Sequence, residues 1–136
     1  MACLYNSMKA SGLGDVDAVK DQYLQHLNRQ LELQIGKELK EIVREDPTLD
    51  QNVMGSANFL QMYVNTHPEV AFILTYTHPK TNAATDWIMT GARPPTKVVH
   101  IHHIGSVDGG HFMAKPVDEF DIARATEAQR VRMMNV

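Results

Sequence analysis

The spacing of apolar residues changes once along this chain, and that change limits what it can fold into. From Val19 through Tyr23, Leu27, Leu31, Ile35 and Leu39 they recur every four positions, and Leu24, Ile42 and Val43 widen the stripe. This is the helical period, and it predicts an amphipathic helix over 15–45. Asp15 or Asp17 is placed to cap it, and Gly36 is a candidate kink or break. From residue 70 the pattern becomes short, β-branched and aromatic. Val-Ala-Phe-Ile-Leu-Thr-Tyr-Thr over 70–77 reads as a buried strand, and 97–104 as a second. Helices first and strands afterwards predict an α+β chain with a small, mainly antiparallel sheet against helices.

The remaining elements are shorter. Residues 2–10 form a candidate helix with Leu4, Met8 and Tyr5 on its apolar face, ended by Gly12 and Gly14. Asp46-Pro47 marks a turn. Ser56 is a candidate cap for a helix over 57–65, stopped by His67-Pro68. Residues 83–92 fit either a short strand at Trp87-Ile88-Met89 or one helical turn. Gly105 to Gly110 suits a hairpin loop, leading into a third strand over 111–115. Residues 121–134 predict a weakly amphipathic helix with Ile122, Val131 and Met134 on one side. The expected core is Phe59, Leu60, Phe72, Leu74, Val99 and Ile101.

Charge and composition narrow the function classes. Thirteen basic against sixteen acidic residues give a net charge of −3, which makes nucleic acid a poor partner. Apolar runs such as 70–76 and 98–104 are too short or too interrupted to span a bilayer. Residues 1–14 lack a basic region followed by an apolar stretch, so no secretory signal is expected. The single cysteine excludes an internal disulfide framework and any multi-cysteine zinc site. A reducing, cytoplasmic setting fits best.

Two residue sets could carry chemistry. Cys3 stands at the start of a predicted helix, where free N–H groups and the positive dipole end lower a thiol's pKa. His111 follows Gly109-Gly110 and opens a strand, a rigid base for a histidine acting as general base and acid. Only the fold can bring the two together. The second set is His100, His102, His103 and His111. In a strand, His100 and His102 share one face and His103 takes the other. His100 and His102 with His111 are a candidate metal site; the alternative is one half-exposed sheet face lined by histidines. A phosphate cradle at Gly105 to Gly110 lacks the strand–loop–helix context.

Cys3-Leu4-Tyr5-Asn6-Ser7-Met8 resembles the nucleophile segment of ovarian-tumour (OTU) domain cysteine proteases, in which a large apolar residue, an aromatic residue and a helix follow the cysteine. The later segments are collinear with that family: Met54-Gly55-Ser56 through Tyr63 looks like a helix after a glycine, and 70–76 like the strand after it. Residues 94–102 look like the strand before the catalytic histidine, and Gly109-Gly110-His111-Phe112 is similar to the Gly-Gly-His-aromatic motif. The resemblance covers about residues 2–115. It implies a papain-like OTU domain over 1–118 with a C-terminal helical extension over 119–136. It further implies hydrolysis of conjugates of ubiquitin or a ubiquitin-like protein, with Cys3 as nucleophile and His111 as general base, and no cofactor or metal. The Gly105 to Gly110 hairpin would then border the channel for the modifier's tail. Two positions depart from the family pattern. Only Met1-Ala2 precede Cys3, where family members usually have Asp-Gly-Asn supplying oxyanion donors; an N-terminally truncated domain is one expectation from this. Met113 stands where an Asp or Asn often orients the histidine, with Asp108 or Asn6 as candidate substitutes. The rival expectations are a degenerate OTU-like binding domain, a viral self-processing protease, and the histidine-cluster metal-binding protein.

Overall fold

The computed structural model describes residues 3–35, 53–77, 81–106 and 109–135. The side chains of Cys3, of 27–35 and 53–56, and of 104–106 and 109–111 lie outside the described set, as do the expectations at Gly36, Pro47 and Asp108.

The chain is α+β. Helix α1 spans Cys3–Ala10, α2 Val16–Ile35 and α3 Val53–Thr66. Strands β1 (Val70–Thr77), β2 (Ala84–Met89), β3 (Lys97–Ser106) and β4 (Gly109–Lys115) follow, and α4 covers Glu119–Met134. The sheet order is β2-β1-β3-β4. Both outer pairings are antiparallel, but the central pairing of β1 with β3 is parallel, with Phe72 opposite Val99 and Leu74 opposite Ile101. The sheet is therefore mixed: after the β1–β2 hairpin the chain crosses to the far side of β1, and β3 lies there in the same direction.

Alternation along the strands sorts the two faces. Val70, Phe72, Leu74, Val99, Ile101 and Phe112 form one core cluster with Leu4, Tyr5 and Met8 of α1, Val16 and Val19 of α2, and Phe59, Leu60, Tyr63 and Val64 of α3. All six residues expected in the core are buried, at 0–3% exposure. The Tyr5 and Phe59 rings meet edge-on at 5.1 Å. Tyr63 donates to the Gly14 carbonyl at 2.6 Å, fixing the α1–α2 turn to α3. That turn uses Gly12 at φ 82°, where a glycine ends α1 without a Cβ clash. A Cβ on Gly91 would stand 2.5 Å from the Pro68 Cα, so the chain leaving β2 passes too close to α3's exit for any side chain.

Two expectations change, and one pair of alternatives is resolved. Helix α3 starts at Val53, so Ser56 lies inside it and is not its cap. Residues 84–89 are a strand, because their backbone pairs with β1 from Phe72–Met89 to Thr77–Ala84. Helix α4 buries Asp121, Ala125 and Gln129, whereas Ile122, Val131 and Met134 are exposed. Its inward side carries Asp121 and Gln129 beside Ala125, because the sheet face it meets presents Thr75, Asp86 and His100. A capping box starts this helix: the Asp121 N–H donates to Asp118 Oδ1 at 2.8 Å, and the Asp118 N–H to Asp121 Oδ2 at 3.4 Å.

Leu74 is fully buried at the centre of the cluster. Leu74→Ala leaves a cavity between β1 and the helices and should cost about 2–5 kcal/mol in urea unfolding. A cost below about 0.5 kcal/mol would mean that this strand does not carry the core.

Candidate active site

Helix α1 packs against β4, the strand at the sheet's edge, and against α2. An edge strand presents unpaired backbone groups, and a covering helix is one way to protect them. Here the cover includes a hydrogen bond. Buried Ser7, one turn beyond Cys3, donates from Oγ to the Phe112 carbonyl at 3.2 Å across 105 residues of sequence. Leu4 and Met8 of the same helix belong, with Phe112, to the core cluster. Cys3 opens α1, and His111 precedes Phe112 in β4, paired with Ile104 of β3. The helix of residue 3 and the strand of residue 111 thus share one packed seam. Their side chains are outside the described set. Nothing in the sequence marks Ser7 for this contact, because its partner is a main-chain carbonyl.

The β3 histidines divide as the strand period predicts. His103 is buried on the helix side, its ring 4.8 Å from Phe112 and 5.3 Å from Tyr76. His100 and His102 lie on the other face. His100 Nε2 meets Thr75 Oγ1 at 2.7 Å, and Nδ1 meets Asp121 Oδ2 at 3.3 Å. Thr75, His100 and Asp121 therefore line up as hydroxyl, imidazole and carboxylate. The donor inventory argues against a nucleophile there: Thr75 Oγ1 gives its proton to Asp86 Oδ1 at 2.7 Å, leaving its oxygen to accept from the ring. Arg124 closes the network, donating to Asp121 Oδ1 at 2.9 Å and to Asp86 Oδ2 at 2.5 Å. This network holds α4 on the sheet.

The same contacts bear on the metal reading. Both nitrogens of His100 are engaged by protein partners, so it has no lone pair to offer. His102 Nε2 meets Thr77 Oγ1 at 2.7 Å, and the Lys115 cation lies near this ring. Among the described residues no group of three or more His, Cys, Asp or Glu side chains is placed to hold a metal. Among them, too, no helix is long and apolar enough to cross a membrane. Of the two candidates to orient His111, Asn6 is exposed on α1; Met113 is also exposed. No protein-family model, curated protein or solved structure matches this chain.

Electrostatics couple this network to pH. Burial raises the Asp121 carboxyl, but hydrogen bonds from Arg124, the Asp118 backbone and His100 outweigh it and hold it below its ordinary value. Burial likewise raises Asp86, and its bonds from Arg124 and Thr75 hold it low. Burial, helped by Lys115 and His100, lowers His102. A depressed histidine is neutral when folded yet protonated when unfolded, so its contribution is full above about pH 6.5 and is lost as the pH falls from there. The two depressed carboxylates contribute fully above about pH 4 and lose that contribution as the pH falls through their lowered folded values. Urea midpoints measured from pH 8 to pH 3 should therefore fall in two stages, and His102→Asn should flatten the first. Stability that rises from pH 7 to pH 5 would contradict this account.

Proposed function

We propose that this chain is a cysteine peptidase of the papain-like OTU type, acting in the cytoplasm on conjugates of ubiquitin or a ubiquitin-like protein. The observation that carries the proposal is the seating of α1, opened by the chain's sole cysteine, on the strand that contains His111, with Ser7 bonded to Phe112. The family resemblance along residues 2–115 supplies the substrate class. The order of α1, helices, β1, β3 and β4 agrees with it.

In this reading Cys3 sits where helix N–H groups favour a thiolate. The thiolate adds to the isopeptide carbonyl, and the oxyanion collapses to break the C–N bond. His111 gives the departing lysine amine its proton, leaving the acyl group as a thioester on Sγ. Water, deprotonated by His111, then attacks the thioester and restores the thiol. The reaction needs no cofactor. A second reading, a domain that binds the modifier without cleaving it, is favoured by Met113. Its thioether offers no carboxylate or amide to orient an imidazole two residues away.

A ubiquitin-derived electrophilic probe separates the readings. Capture by the wild type, its loss in Cys3→Ala and a reduction of about a hundredfold or more in His111→Ala are expected of a nucleophile with a general base. Capture that persists in Cys3→Ala cannot come from a thiol and would sink the assignment. Binding of ubiquitin with no capture would leave the non-cleaving domain.

A further inference from the structure

We infer that Ser7 is a positioning residue for the proposed dyad: its hydroxyl fixes the N-terminal turn of α1 against β4 and so sets the approach of residue 3 to residue 111. The inference rests on the peptidase reading and adds to it a residue that the family resemblance does not supply. Its basis is geometric. Ser7 lies one helical turn beyond Cys3, and its acceptor belongs to the residue after His111. The bond joins α1 to β4 over 105 positions of sequence, and it is buried. Apolar contacts of Leu4, Met8 and Phe112 press the two elements together, but such contacts are non-directional and tolerate sliding. A hydrogen bond fixes both distance and angle. Among the described residues it is therefore a directional feature of the seam that helps set where along β4 the start of α1 comes to rest. Ser7 is itself held from behind: its own carbonyl accepts from the Ser11 backbone N–H at 3.1 Å and from Ser11 Oγ at 2.8 Å. The last turn of α1 is thus tied to the turn that carries the bond.

Any loosening should be felt first at the dyad, because an ion pair between thiolate and imidazolium weakens steeply with separation in a poorly solvated site. The test uses the chain's single cysteine as its own reporter. The rate of Cys3 alkylation by iodoacetamide is followed from pH 5 to pH 10 in the full-length protein, wild type and Ser7 variants. The wild type should titrate well below the ordinary thiol value of about 8.5. Ser7→Ala should move that titration upward by about one unit and slow alkylation near pH 7 by up to about tenfold, with the thermal midpoint lowered only modestly. Ser7→Thr and Ser7→Val form a second pair that matches in volume and differs in the hydroxyl. Thr should keep the wild-type profile and Val should follow Ala, which keeps the question answerable if Ser7→Ala folds poorly. A merely structural serine would shift the midpoint and leave the pH profile unmoved. A low titration in the wild type that neither Ala nor Val alters overturns the role of Ser7 and leaves the dyad standing. An ordinary titration in the wild type overturns the dyad, and this inference with it.

Discussion

The seating of α1 on β4 joins residues 3–10 to residues 109–115. Residues 3–10 would be a marginal helix alone in water, since helices of this length rarely hold without tertiary support. They are stabilised by burying Leu4, Tyr5 and Met8 against Phe112 and the helices. The same contact protects an edge strand and satisfies one of its carbonyls through Ser7. Without it the first helix would lose its partner and β4 its cover, and residues 3 and 111 would have no shared surface. The proposed peptidase site and the stability of the sheet edge therefore depend on one contact.

The opposite face of the sheet is held differently. Helix α4 meets it through Asp121, Ala125 and Gln129, and its grip comes from Arg124 set between Asp86 and Asp121, with His100 and Thr75 completing the ring of bonds. Two carboxylates so close together would repel, and the guanidinium between them is what makes the burial of Asp121 beside Asp86 tolerable. One side of the sheet is governed by apolar volume; the other adds a charge network to the buried Ile73 and Ala125, which is why acid is expected to act on the α4 side.

The sequence made much of this architecture legible, for identifiable reasons. Strand β1 falls at 70–77 as the β-branched run predicts, and the six expected core residues are buried, because hydrophobic periodicity reports burial directly. The inside-out character of α4 escaped detection: helical periodicity looks for an apolar face, and here the buried positions are Asp121 and Gln129. An Asp121–Arg124 spacing of three was visible, but its partners Asp86 and His100 come from strands whose pairing only the fold fixes. The parallel union of β1 and β3 was equally hidden, since direction follows from the path of the connection. Cys3 and His111 were singled out by residue type and position. Ser7 was missed because a bond to a main-chain carbonyl leaves no trace in composition.

The central claim is that the α1–β4 seam serves a reacting pair. A crystal structure of the active-state protein at a resolution that fixes side chains tests it most directly, through the distance from the Cys3 Sγ to the nearer nitrogen of His111. A separation of about 4 Å or less is predicted, with the ring brought round the edge of β4 toward the start of α1. A separation beyond about 10 Å, with the imidazole on the far side of the sheet, would contradict the peptidase account.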